Sequence, residues 1–153
     1  MKITKIGPNG LALIKQFEGF KSKAYLCPAN VPTIGYGSTR YADGRKVTLK
    51  DPDITKEQGE QLLLKTLSTY EEAVDDFCID TITQNQFDAL VSFAYNLGPA
   101  ALKGSTLLKL INANPNNVVP IAQNFNKWVN GGGKVLPGLV KRRAAEAELF
   151  FRP

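Results

Sequence analysis

The chain has 153 residues, of which 43% are hydrophobic and 22% charged, with a net charge of +5 and no histidine. That length buries a core without disulfides or a structural metal, so one globular domain is expected, or two small lobes sharing a helix. The missing histidine removes the usual base of Ser-His and Cys-His hydrolases and the commonest zinc ligand.

The first residues, Met1-Lys-Ile-Thr-Lys-Ile-Gly-Pro-Asn9, are basic but lack the apolar run of a signal peptide, and no stretch is long enough to span a membrane. The expectation is a protein first held in the cytoplasm, with Cys27 and Cys78 reduced. Asn9 is a candidate cap for a first helix over about 9–19, carrying Leu11-Ala-Leu-Ile-Lys-Gln-Phe17 and stopped by Gly19. Residues 24–50 are rich in Gly, Pro, Thr, Tyr and Val. They predict a short twisted antiparallel sheet with turns at Pro28-Ala-Asn30 and Asp43-Gly44.

Thr55-x-x-Gln58 has the pattern of a capping box opening a long helix. Its apolar stripe is Leu63, Leu67, Tyr70, Val74 and Phe77, with Cys78 read as core. The four acids between Thr69 and Asp76 predict a more exposed stretch. A second box, Thr83-x-x-Gln86, opens a helix that Gly98-Pro99 stops. Ser105 is the expected cap of a short helix, Thr106 to Asn112. Asn114-Pro115 begins another helix carrying Ile121, Phe125 and Trp128. Gly131-Gly-Gly133 predicts a flexible break before a last helix from Leu139 to Phe151. The whole is an α+β chain: a sheet lobe over about 20–54, a linking helix over about 55–78 and a helical lobe over about 79–153. A ligand is expected in a cleft between such lobes.

Charge is concentrated late. From Lys127 onward six Lys or Arg stand against Glu146 and Glu148. This predicts a basic C-terminal face suited to an anionic partner, or simply a solvated helix face.

Three residues carry the candidate chemistry. Eight residues separate Glu18 from Cys27 and five separate Cys27 from Thr33. Glu18, at a helix end between Phe17 and Phe20, meets the negative end of the macrodipole and an apolar surround, both of which favour a protonated carboxyl suited to general acid work. An exposed surface glutamate is the ordinary alternative. Cys27 lacks a histidine to make its thiolate, and a lone cysteine is more often a small buried hydrophobe. Thr33 opens the strand Thr33-Ile-Gly-Tyr-Gly37, where a β-branched residue needs no functional reason. Tyr95 and Trp128 have the same two readings, sugar stacking or core.

Taken together, several runs resemble the phage-type lysozymes of glycoside hydrolase family 24. They are Phe17-Glu-Gly-Phe-Lys-x-x-Ala-Tyr25, Thr33-Ile-Gly-Tyr-Gly-Ser-Thr39, Gln86-Phe-Asp-Ala-Leu-Val-Ser-Phe-Ala-Tyr-Asn-Leu-Gly98, Gly104-Ser-Thr-Leu107, Trp128 and Gly138-Leu-Val-Lys-Arg-Arg143-x-x-Glu146. The resemblance implies a lysozyme-like fold, a small antiparallel sheet lobe joined by a long helix to a mainly helical lobe. It also implies an endolysin that hydrolyses the β-1,4 bond between N-acetylmuramic acid and N-acetylglucosamine in peptidoglycan, with no cofactor and no metal.

The family's Glu, Asp and Thr fall on Glu18, Cys27 and Thr33, so a thiol stands where an Asp is usual. A thiol of ordinary pKa, ~8.5, is mostly neutral at neutral pH. Cys27 is then a partial thiolate, a softer nucleophile or a minor contributor. Thr39, Tyr95 and Thr106 are the implied substrate contacts, and Arg142 or Arg143 an implied partner for Glu18. The implied partner is the glycan strand, not nucleic acid or a stably inserted membrane, and the protein is expected to act as a monomer. It is also expected to depend on a holin for release from the host cytoplasm to the periplasm and cell wall. The missing Asp keeps two alternatives open: a lytic transglycosylase using Glu18 alone, and a non-catalytic peptidoglycan-binding protein.

Overall fold

A computed structural model describes residues 2–153. The chain divides into two compact units, one holding residues up to Leu13 together with Tyr70–Pro153, the other Ile14–Thr69. Among the described residues, seven helices and four short strands run in the order α1 (Pro8–Glu18), β1 (Lys21–Leu26), β2 (Pro32–Gly35), α2 (Lys56–Phe77), α3 (Gln84–Leu97), α4 (Pro99–Lys103), α5 (Thr106–Ala113), α6 (Val118–Phe125), β3 (Asn130–Gly131), β4 (Lys134–Val135) and α7 (Pro137–Phe150). Among the described residues, no helix is long and apolar enough to cross a membrane.

In the unit Ile14–Thr69, β1 and β2 form an antiparallel hairpin in which Tyr25 faces Thr33 and Leu26 faces Pro32. The pairing is irregular between Lys21 and Tyr25. Isolated bridges, Ile34 to Ser38 and Arg40 to Lys46, extend the sheet as expected for this Gly- and Thr-rich stretch. Its core is Ala24, Ile34, Val47 and Leu62, with Tyr41 and Ile54 packed against them. At the start of α2, Thr55 N–H donates to Gln58 Oε1 at 2.8 Å and Gln58 N–H donates to Thr55 Oγ1 at 3.1 Å, the reciprocal box read from sequence.

In the other unit α3 packs along α7. Phe93, Phe125 and Phe150 meet edge to face at 5.9 and 5.7 Å, and Trp128 joins them at 5.6 Å from Phe93. Thr83 and Gln86 close the second capping box. Ser105 Oγ accepts from Leu108 N–H at 3.0 Å and caps α5. Cys78 is buried, and loss of water pushes its thiol up to about 12.

Several expectations fail for tertiary reasons. Asn9 does not cap α1, which begins at Pro8. Proline suits a first helical position because its missing N–H would be unpaired there. Glu71, in a stretch expected to be exposed, is 5% exposed and accepts Ile6 N–H at 2.6 Å. α6 starts at Val118 and ends before Trp128. Gly132 and Gly133, both at positive φ, turn a tight hairpin between β3 and β4 where a flexible break was expected.

The C-terminal basic face is also reduced. Arg142 and Arg143 are buried and converge on buried Glu146, at 3.4 and 2.8 Å. Ser92 Oγ donates to the same carboxylate at 2.5 Å, and Arg143 Nη2 donates to Asn96 Oδ1 at 2.6 Å. Burial raises the Glu146 pKa, and both guanidinium groups and Ser92 oppose that shift. The charges that remain exposed on this segment are Lys127, Lys134, Lys141, Glu148 and Arg152.

The Thr83 box is local and satisfies two backbone donors. Thr83→Ala is expected to cost about 1 kcal/mol, read as a lower urea midpoint with an unchanged slope. An unaltered midpoint would show that the cap contributes nothing.

Candidate active site

Glu18 is the last residue of α1 and is half-buried. Gly19, at φ 70°, ends the helix by donating its N–H to Lys15 O at 3.0 Å. Lys15 pairs with Glu60 of α2 at 3.3 Å, and Ile14 is fully buried, so the last turns of α1 are held in their unit.

Cys27 sits just past β1. Its N–H donates to Val31 O at 3.1 Å, and Asn30 N–H donates to Cys27 O at 2.8 Å. Asn30 takes φ 61°, a left-handed conformation that asparagine tolerates better than most residues. This tight reversal turns backbone donors toward the sulfur. Hydrogen bonds from the backbone of Val31, then Ala29, with smaller ones from Thr33 and from Cys27 itself, lower the thiol pKa. Partial burial opposes them and is outweighed. No neighbouring cation is among the causes. The turn shifts the thiol in the same direction that a neighbouring histidine would.

Thr33 is 3% exposed, and its hydroxyl donates to Val31 O at 2.8 Å. The hydroxyl has one proton to share between that carbonyl and the Cys27 sulfur, and its lone pairs accept from other donors.

Tyr25 is a residue that sequence reasoning quoted without giving it a role. It faces Thr33 across the hairpin. Burial raises its phenol pKa, and the negative charges of Glu18 and Cys27 raise it further, in that order. The phenol therefore lies within the fields of both groups. The signal was present in the spacing: Tyr25 lies two residues before Cys27, near the end of β1. Glu18, Tyr25, Cys27 and Thr33 all belong to the unit Ile14–Thr69.

The implied substrate contacts are placed differently. Thr39 is exposed, and its carbonyl accepts Val47 N–H at 3.0 Å between the two isolated bridges. Tyr95 and Thr106 belong to the helical unit. Tyr95, half-buried on α3, packs edge-on against Tyr70 at 5.1 Å. Thr106 opens α5 and lines a cavity of about 460 Å³ with Leu97, Asn124, Lys127, Trp128 and Asn130. Among the described residues no group of three or more Cys, Asp or Glu is arranged to hold a metal ion.

The two thiols differ sharply in environment. Iodoacetamide is expected to modify Cys27 in the native protein, with a rate that rises with pH and a midpoint below the ordinary thiol value of ~8.5. Cys78 should stay unmodified until unfolding. Peptide mapping by mass spectrometry checks both statements, and a Cys27 midpoint at or above the ordinary value would contradict the turn's effect.

The phage lysozyme family model matches residues 15–146. The chain is 44% identical to the endolysin of Bacillus phage B103, over 95% of this chain and 54% of that protein. It therefore spans about half the length of that relative, as it does of the endolysin of Bacillus phage PZA. It is 39% identical to the endolysin of Acyrthosiphon pisum secondary endosymbiont phage 1, over 95% of this chain and 97% of that one. The solved endolysin from Escherichia coli O157:H7 phage FAHEc1 superposes with a TM-score of 0.88 at 38% identity, covering 99% of this chain and 96% of the other. The α+β lysozyme-like class expected from the sequence is the one observed, and by sequence and fold alike the chain belongs to the phage lysozyme family.

Proposed function

We propose that this chain is an endolysin muramidase, cleaving the β-1,4 bond between N-acetylmuramic acid and N-acetylglucosamine in bacterial peptidoglycan during host lysis. The observation that carries the reading is the Cys27–Val31 turn. It lowers the pKa of a thiol beside Thr33, just past the strand whose Tyr25 feels the charges of both Glu18 and that thiol. A hydrolase of this family needs a proton donor and a second, anionic group (a carboxylate in most glycosidases). Glu18 supplies the first. A thiolate at Cys27 supplies the second without histidine.

In this mechanism Glu18 gives its proton to the glycosidic oxygen as the bond to the anomeric carbon breaks. Thr33 accepts a hydrogen bond from the attacking water and orients it. The Cys27 thiolate supplies negative charge for that water, whose oxygen bonds to the anomeric carbon and whose proton leaves toward the sulfur. Proton exchange with solvent then returns both groups to their starting forms. Thr39, Tyr95 and Thr106 are assigned to substrate contact. No cofactor or metal is required, the acting species is a monomer, and neither nucleic acid nor stable membrane insertion is part of the function. Access to the wall follows a membrane lesion made by a holin, before which the protein is held in the host cytoplasm.

Mass spectrometry of fragments from purified peptidoglycan tests the reading. Reducing muramic acid ends are expected. A 1,6-anhydromuramic end would make the protein a lytic transglycosylase, and wall binding without cleavage would make it a binding protein. Glu18→Gln should lower the rate by at least about a hundredfold, the scale of a lost general acid. Cys27→Ala should lose most activity and Cys27→Asp should keep it.

A further inference from the structure

We propose that the cavity between the Tyr41–Arg45 reversal and the first turns of α2 binds the aliphatic ammonium side chain of a peptidoglycan stem peptide; this ligand class rests on the reading of peptidoglycan as substrate. The cavity measures about 560 Å³, within the ~300–1,000 Å³ of small-molecule sites, and its lining residues all belong to the unit Ile14–Thr69. Glu18, Cys27, Thr33 and Thr39 are not among them, so it has no part in the mechanism above.

One wall is built before any ligand arrives. Tyr41 N–H donates to Arg45 O and Gly44 N–H to Tyr41 O, both at 2.9 Å, and Arg45 N–H donates to Asp43 Oδ1 at 2.9 Å. The Tyr41 hydroxyl donates to Asp51 Oδ2 at 2.7 Å, and Thr48 holds the same carboxylate through its N–H and hydroxyl, at 2.9 and 2.7 Å. The other wall is as firm. The Thr55 box fixes the start of α2, and Ile54 N–H donates to Ser22 O at 2.9 Å. A pocket held open in this way loses little conformational freedom when it fills.

The chemistry of the walls selects the ligand. Ala42, Ile54 and Leu62 supply an apolar lining, and Asp43 and Glu57 are exposed carboxylates beside it. Arg45, the cation of the same wall, is engaged there. Its guanidinium lies 4.5 Å from the centre of the Tyr41 ring and 4.0 Å from Asp51 Oδ1. With Arg45 matched by Asp51, Asp43 and Glu57 leave the rim net negative. An unbranched apolar chain ending in an ammonium suits both features, the chain on the apolar lining and the charge at the carboxylates. A sugar suits them less. Sugars stack on an open aromatic face, whereas the Tyr41 ring has Arg45 over it and packs against the core of its unit. In peptidoglycan the group of this description is the side chain of a lysine-type diamino acid in the stem peptide. Its ammonium is free only where the stem is not cross-linked, so the cavity selects uncross-linked strands.

The test is an NMR titration of isotope-labelled full-length protein with the synthetic stem L-alanyl-D-isoglutaminyl-L-lysyl-D-alanine. The same peptide acetylated on its lysine side chain, and chitotetraose, are titrated beside it. The free peptide is expected to shift the amides of residues 42–45 and 57–62 saturably. Acetylation should weaken binding roughly three- to thirtyfold, the scale of two exposed ion pairs, and so should Asp43→Asn combined with Glu57→Gln. These two substitutions keep side-chain shape, so the thermal midpoint should stay near that of wild type. Ala42→Trp, which fills the cavity, should abolish the shifts. Unshifted amides in this region, equal affinity for the acetylated peptide or wild-type affinity in the double variant overturns the site. Saturable binding of chitotetraose to the same residues overturns it too, in favour of a glycan site. An intact peptide titration without cleavage of purified peptidoglycan overturns the muramidase reading instead, so the two failures are distinct.

Discussion

The register of one short hairpin is the constraint on which the candidate chemistry depends. With Tyr25 opposite Thr33 and Leu26 opposite Pro32, the chain must reverse within the residues from Cys27 to Val31. The Cys27 N–H to Val31 O bond closes that reversal. A slip by one residue would send every side chain of one strand to the other face, taking Thr33 away from Tyr25 and the sulfur away from its donors. A left-handed Asn30 and buried Ala24 and Ile34 hold the register. The thiol is thereby ionised more easily by backbone dipoles, without a cation.

A second theme is polar burial in the helical unit. Asp88 and Glu71 bind backbone N–H groups of the N-terminal segment, while Arg142, Arg143 and Glu146 meet between α3 and α7 with Ser92 and Asn96. Buried charges of this kind add little net stability compared with apolar packing, but they strongly penalise arrangements that leave a charge unpaired. They act as register marks. Asp88 fixes where α1 begins, and Glu146 fixes how α7 is rotated against α3.

What the sequence made legible follows from the range of each interaction. The boxes at Thr55 and Thr83 and the cap at Ser105 span three residues, so their residue types suffice to place them. The apolar stripe of α2 is equally local: Leu63, Leu67 and Val74 are fully buried as its period requires. The start of α1 was misplaced because its capping carboxylate is 78 residues away from Gly10. The basic C-terminal face was overdrawn because helix position alone does not show that Arg142 and Arg143 have Glu146 and a buried serine to meet. Of the candidate site, Glu18, Cys27 and Thr33 were singled out by the family resemblance, while their residue types alone favoured a surface carboxylate, a small buried hydrophobe and a strand position. The electrostatics of Cys27 were not legible, since the donors that lower its pKa belong to backbone that has no sequence signature beyond a turn.

In the proposed mechanism a backbone-stabilised thiolate at Cys27 takes the place of a carboxylate. The pH dependence of kcat/KM on purified peptidoglycan, compared between wild type and Cys27→Asp, addresses it most directly. The ionised form of each group appears as pH rises through its pKa. The wild-type rising limb is expected below ~8.5, the ordinary thiol value, and Cys27→Asp should move the limb several units lower, toward the carboxylate range near ~3.9. Superimposable profiles would contradict it, because the group titrating in that limb could then not be Cys27.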